Sequence, residues 1–525
     1  MSIPAGALES SRIALPFRFV NKLPLLLLVA LLLFALGCGS NGSSVNGPYS
    51  VASLKGSYLM RFSGSDSFLD ANNNLQSESY VEVLALTADG AGNLTGVEDF
   101  NSSLPAFGFT PGTAFTGNYL IGKDGNGSMQ INFTSPASGQ INLSITLAST
   151  SRFYAVEADA FSNFSANAAG EGLKQDTTAF AAAPTGTFVT RVHQRIPNNF
   201  SSATVGALTS TNGTTVTGTI DVLRNQVFLP QLTLTAGAFT APDSNGRGTL
   251  VYTDSNAATT HYQYYVVDAN TFWLMGSDGT KLSTGSAEKQ AGGSLALSGN
   301  YAFGSSGDTD ATDGAARTVG VFTANSGTLQ AGGLDSVQDG TSTLDQPFTG
   351  TYTQSGARVD AIITPTGGVA VPEVFWMVNP SRAFFLVADI HRVEDGTIDL
   401  QQKNTFSNSD LNSQFGYALG MEGFTGFNPM ILLTRVGTLI ADGNGNLNLN
   451  EEANSFEFGN PPGSINDPGT LSGTYQVRAD GRVSGAISNL SSNLVLYMVS
   501  PGQAYILQND PDVEISGKIT LQTSP

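Results

Sequence analysis

Few residues of this chain are of the kinds that do chemistry. In 525 residues there are one cysteine, Cys38, and three histidines, His193, His261 and His391. A single thiol excludes a disulfide framework and any zinc site with several cysteine ligands. The histidines lie far apart in sequence, so each is expected at a surface or a strand end. The carboxylate pairs Glu98-Asp99 and Glu451-Glu452 are adjacent. Neighbours in a strand point to opposite faces, which is poor geometry for two acids flanking a glycosidic bond. No Gly-x-Ser-x-Gly, His-Glu-x-x-His or Gly-x-x-x-x-Gly-Lys-Ser/Thr motif occurs. Asp442-Gly443-Asn444-Gly445-Asn446 opens like a calcium loop, but Leu447 and Ala453 stand where such a loop needs Gly and Glu. It reads as a turn, as do the similar turns at Asp89 and Asp124. No catalytic residue, metal ligand or cofactor is assigned.

Aromatic clusters are the remaining candidates. Tyr262, Tyr264, Tyr265, Phe272 and Trp273 form one, and Phe375, Trp376, Phe384 and Phe385 another. Most are expected in cores. Tyr262 and Tyr264 share one strand face and, if that face is outward, offer an exposed platform. With Trp273 and Trp376 they are the candidate ligand-binding residues.

Cys38 has a context. Arg12, Arg18 and Lys22 precede the apolar run from Leu23 to Leu36, which is interrupted by Pro24. A positive segment followed by a run this short reads as a secretory signal, since a membrane-spanning helix needs about 20 apolar residues. The run ends in Ala35-Leu36-Gly37-Cys38 and leads into Gly39-Ser40-Asn41-Gly42-Ser43-Ser44. This resembles the lipobox of bacterial lipoproteins, with Ala35 and Leu36 departing slightly from the commonest pattern. The resemblance covers about the first 40 residues. It implies removal of residues 1–37, acylation of Cys38 with diacylglyceryl and a further acyl group such as palmitate, and membrane attachment through those chains. Gly39, rather than an acid, after the cysteine implies sorting to an outer membrane where the host has one. Residues 38–53 have the composition of a flexible tether.

The charged fraction is 12% and the formal net charge −19. That excludes a basic nucleic-acid binder and a charged coiled coil. The acids are scattered, so they read as a solvated surface.

Beyond the tether the chain repeats. Met377-Val378-Asn379-Pro380 returns as Met498-Val499-Ser500-Pro501, and Phe348-Thr349-Gly350-Thr351-Tyr352 as Leu471-Ser472-Gly473-Thr474-Tyr475. Phe115-Thr116-Gly117-Asn118-Tyr119 is an earlier copy of the second landmark. A third landmark opens each unit: Gly56-Ser57-Tyr58, Gly186-Thr187-Phe188, Gly299-Asn300-Tyr301 and, loosely, Gly416-Tyr417. Four β-domains follow, at 54–176, 184–290, 295–403 and 414–525. Inside each the period is two, with Asp-Gly and Asn-Gly at hairpin turns. About seven or eight strands per unit are expected, as antiparallel meanders with no amphipathic helix.

The fold class is therefore all-β, as four tandem barrel-like units. A β-sandwich per unit, or one large propeller, is the alternative. The units resemble, in style, tandem β-repeat lipoproteins of no assigned activity. The expected function is a lipid-anchored cell-envelope protein, on the outer membrane facing the periplasm or exposed at the surface. Its four domains would bind or adhere without catalysis, to a polysaccharide or an envelope protein. One alternative is a carrier of small apolar ligands within the barrels, which glycine-rich interiors would favour. An enzyme acting on an envelope polymer is the third reading.

Overall fold

The structure, a computed structural model, describes residues 48–69, 75–104, 108–134, 139–161, 164–195, 201–279, 281–309, 314–420, 431–457, 464–466, 470–488, 493–510 and 513–525. The signal segment, Cys38 and most of the tether lie outside these residues. The chain is all-β, with four antiparallel barrels of eight strands each, in tandem. They run from Lys55–Leu69 to Phe164–Lys174, from Gly186–Arg195 to Leu282–Lys289, from Gly299–Thr309 to Arg392–Leu400 and from Gln414–Leu419 to Val513–Leu521. Neither a sandwich nor a propeller forms. Among the described residues no helix is long and apolar enough to cross a membrane.

Each barrel closes in the same register. The aromatic of the opening landmark pairs with the last strand, as Tyr58↔Lys174, Phe188↔Lys289 and Tyr301↔Leu400; in the fourth barrel Phe415, not Tyr417, takes this place, as Phe415↔Leu521. Closure abolishes the edges that a succession of hairpins would otherwise expose. The Gly-x-Tyr landmark has a visible purpose. Tyr119, Tyr352 and Tyr475 donate their hydroxyls to the carbonyls of Leu54, Leu297 and Leu411 at 2.7, 2.8 and 2.6 Å, fastening the entering chain to the barrel. The second barrel has Phe239 at this place, buried in its core.

The glycines of the interior are occupied space. Phe153 lies opposite Gly172, Phe115 opposite Gly96, Tyr264 opposite Gly248, Phe303 opposite Gly320, Phe348 opposite Gly332 and Phe385 opposite Gly396. A Cβ at any of these glycines would fall within 2.5 Å of the facing ring. The aromatic folds over the missing side chain, so glycine-rich strands enclose packed cores.

Four further apolar clusters lie between barrels. Leu59, Val81 and Val83 of the first meet Tyr265, Trp273 and Met275 of the second. Val189, Val205 and Leu223 of the second meet Val374, Trp376 and Phe384 of the third. Ala302, Val319 and Val321 of the third meet Val495, Tyr497 and Leu507 of the fourth. Ala418 and Val436 of the fourth meet Ala148, Tyr154 and Val156 of the first. The first three strands of each barrel thus face the sixth to eighth of the next. The fourth barrel returns to the first, and the head-to-tail series closes into a ring.

Candidate functional site

The ring has two sets of repeated polar features, its seams and its outer strands. At the seam between first and second barrels, Asp99 is fully buried. It accepts bonds from Arg247 Nε at 2.9 Å, Arg247 Nη2 at 2.5 Å and the Tyr265 hydroxyl at 2.5 Å. At the next seam Asp221 accepts from Arg358 Nε at 2.9 Å, Arg358 Nη2 at 3.0 Å and Trp376 Nε1 at 2.7 Å. At the third, Asp335 accepts from Arg482 Nε and Nη2, both at 2.7 Å, and from Tyr497 at 2.6 Å. The same acid–arginine–aromatic clamp is built three times.

Its position is set by the backbone. Asp99, Asp221 and Asp335 each stand at a register shift between third and fourth strands. A bulge there re-aims one side chain out of the barrel wall. The facing strand bends to meet it: Gly112, Gln231 and Asp345 have φ of 71, 52 and 49°. Their N–H groups reach the three aspartates at 2.7, 2.9 and 2.9 Å. Left-handed backbone at Gln231 and Asp345 costs energy, and the bond to a buried carboxylate offsets it.

A second device is built four times. Gln175, Gln290, Gln401 and Gln522, just past each last strand, donate Nε2 to Val266, Met377, Met498 and Leu147 carbonyls at 2.8, 3.0, 2.8 and 2.6 Å. The next residue donates its backbone N–H across the same seam: Asp176 to Val267, Ala291 to Val378, Gln402 to Val499 and Thr523 to Ala148.

His193 lies in the second seam, 2.8 Å from Asp395 and 3.4 Å from Asp308 of the third barrel. It is partly buried there, rather than at a surface. Burial opposes its charge, but the two carboxylates outweigh burial and raise its pKa to about 9. Burial likewise opposes charge on Asp308, and His193 prevails, taking its pKa down to about 2. Inside the third barrel, burial pushes Glu373 up to about 8, with Glu394 adding to the effect and Arg392 opposing it.

The candidate ligand residues are all buried. Tyr262 and Tyr264 face inward and are buried in the second barrel's core. Their strand, Thr259–Asp268, turns its even-numbered side chains to the interior, so no outward platform forms. Tyr264 also bonds the Thr240 carbonyl at 2.7 Å. Trp273 and Trp376 do face outward, into seams: Trp273 under the Arg61 guanidinium at 4.7 Å, and Trp376 on Asp221. The adjacent acids point to opposite faces as expected. Glu451 turns inward to Arg435 and Tyr417, and Glu452 outward to Ser144. Asp442 caps its own turn, accepting from the Asn444 and Asn446 N–H groups.

The outer face of the fourth strand of every barrel is open to solvent. Thr116 and Asn118 are exposed in the first, Thr233 and Thr235 in the second, Thr349, Thr351 and Thr353 in the third, and Ser472, Thr474 and Gln476 in the fourth. These are largely the polar members of the Phe-Thr-Gly-x-Tyr landmark, whose aromatic members are buried, or half-buried in the case of Tyr352. The alternation is visible in sequence, but threonine carries no charge or reactivity that would mark these residues as a site. Hydroxyls and amides both donate and accept hydrogen bonds.

No family model matches the chain, and no curated protein matches it. Similar solved structures include intact Ap-TbpB, with N and C lobes, at 9% identity, covering 70% of this chain and 83% of that one with a TM-score of 0.16. A mutant of the vaccine antigen transferrin binding protein B from Haemophilus parasuis Hp5 is also similar, at 9% identity, 65% and 76% coverage and a TM-score of 0.19. A double mutant of that antigen gives 8%, 70%, 82% and 0.15.

Proposed function

We propose that this chain is a lipid-anchored envelope protein, held by acyl groups on Cys38, whose ring of barrels binds a neutral, repetitive polymer without chemistry. The fourfold outward stripe of threonine, serine, asparagine and glutamine carries this reading. A row of uncharged donors and acceptors on an exposed strand suits a hydroxyl-rich polysaccharide. The net charge of −19 disfavours polyanions. Four stripes fixed on one ring act together, and avidity then exceeds single-site affinity by about 10²–10⁴. The packed interiors favour the outer surface over carriage inside the barrels.

The test uses an exported Cys38→Ser form recovered from the soluble fraction. Affinity electrophoresis through gels holding neutral or acidic polysaccharides should show retardation by a neutral one. Thr116→Glu, Thr233→Glu, Thr349→Glu and Ser472→Glu, added one at a time, should weaken it in steps. Retardation that ignores all four, or none on any polymer, would sink the reading. A stoichiometric small-molecule adduct in native mass spectrometry would instead support carriage. For the anchor, the N-terminal peptide of the unmutated protein should carry diacylglyceryl on Cys38, and the serine form should leave the membrane fraction.

A further inference from the structure

The seam between fourth and first barrels differs from the other three at the positions that clamp them. In register, Arg247 pairs with Tyr265, Arg358 with Trp376 and Arg482 with Tyr497. In the first barrel the corresponding pair is Asn126↔Thr146. These two short side chains bond to each other at 2.7 Å instead of reaching across. Glu452 stands in for the aspartate and bonds Ser144. The apolar contact is reduced to Ala148, Tyr154, Val156, Ala169, Ala418 and Val436. In place of an arginine, the buried, uncharged Asn454 donates to the Glu157 and Ala166 carbonyls, and its own carbonyl accepts from Asn167. This is also the seam whose two barrels are not consecutive in sequence, so no short linker joins them.

Something else sits there. Tyr49, from the end of the tether, is 5% exposed, and its hydroxyl lies 2.6 Å from the Thr523 carbonyl oxygen and 3.1 Å from that of Ala148. Its ring and Gln522 close over Gly125, where a Cβ would come within 3.2 Å of the ring and 2.7 Å of Gln522 Nε2. Both ends of the described chain therefore meet on the seam. We infer that the ring opens at its fourth–first seam, where only uncharged or single contacts replace the arginine–aromatic clamp, and that Tyr49 is the latch there.

The fold supplies four matched reporters, the seam-crossing amides of Asp176, Ala291, Gln402 and Thr523. Hydrogen exchange on the full Cys38→Ser chain should find Thr523 exchanging faster than the other three. The expected factor is about tenfold or more, as for one lost charge-assisted hydrogen bond. Tyr49→Phe should quicken Thr523 further and leave the others unchanged. Grafting the clamp with Asn126→Arg and Thr146→Tyr should slow Thr523 towards the other three, which simple fraying of a chain end would not do. In the reverse direction, Arg482→Asn with Tyr497→Thr should make Gln402 exchange like Thr523. Equal protection at all four amides in the parent would overturn the inference. So would indifference of Thr523 to Tyr49→Phe, or of Gln402 to the reverse variant.

Discussion

Arg358→Met tests whether the clamps hold the ring. The change removes two of the four hydrogen bonds that Asp221 accepts, those at 2.9 and 3.0 Å, and its only ion-pair partner among the described residues. Asp221 is fully buried, and Arg358 is 8% exposed. Stranding a carboxylate in such a place costs ~3–5 kcal/mol, whereas losing a surface ion pair costs at most about 1 kcal/mol. The seam-crossing amide of Ala291 reads this locally, which matters because four barrels need not unfold in one step. A loss of ~3 kcal/mol is a rise of about a hundredfold in opening, and so in exchange, at Ala291. Asp176 and Gln402 report on other seams and should hold still. Asp221→Leu combined with Arg358→Met removes both charges and should recover much of the loss. A change under about fivefold at Ala291 would put the pair in the surface class and refute the reasoning. So would a double variant worse than the sum of its parts.

Other outcomes follow from the same geometry. His193 titrates with a folded pKa of about 9, against about 6.5 unfolded, among Asp308, Asp395, Arg191 and Arg195. Its stabilisation of the second seam is complete below pH 6.5 and is lost as pH rises through 9, roughly 3 kcal/mol at most, and His193→Gln should flatten that slope in pH-dependent exchange. Glu373 has a raised folded pKa of about 8, so the third barrel should weaken as pH rises through that value. Glu373→Gln should remove this loss, seen as a higher thermal midpoint at pH 9 with little change at pH 5. Gly172→Ala would set a methyl 2.0 Å from the Phe153 ring and should cost ~1–3 kcal/mol by denaturant titration. Adding Phe153→Leu should restore part of it.

The barrels could be read from the sequence because their signals are local. Asp-Gly turns, period-two strands and the Tyr58, Phe188, Tyr301 landmark all act within one unit. The ring was not read, although its trace is present. Val81, Val83 and Ala85 are apolar on the face opposite Leu84 and Leu86, and Trp376 and Val378 opposite Phe375 and Met377. A barrel wall bathed in water would be polar outside, so strands apolar on both faces announce a second packing partner. Taking those residues as core alone hid the seams. The clamps were hidden for another reason. Asp221 and Arg358 lie in different barrels, and each looks like one more scattered surface charge until the bulge that re-aims the aspartate is seen.

The meeting of Tyr49 with Thr523 bears on the order of the repeats. A ring of head-to-tail barrels has no structurally required first member, and its starting point is only where the chain happens to be cut. Joining Pro525 to Pro48 by a short peptide and opening the chain instead within 177–183 should give a circular permutant with the same four seams. The number of repeats is less free. The turn from one barrel to the next closes after four, so a chain of three or five would leave a sticky face at each end. Duplication or loss of a single repeat would then convert a self-contained ring into a protein that associates with its own copies.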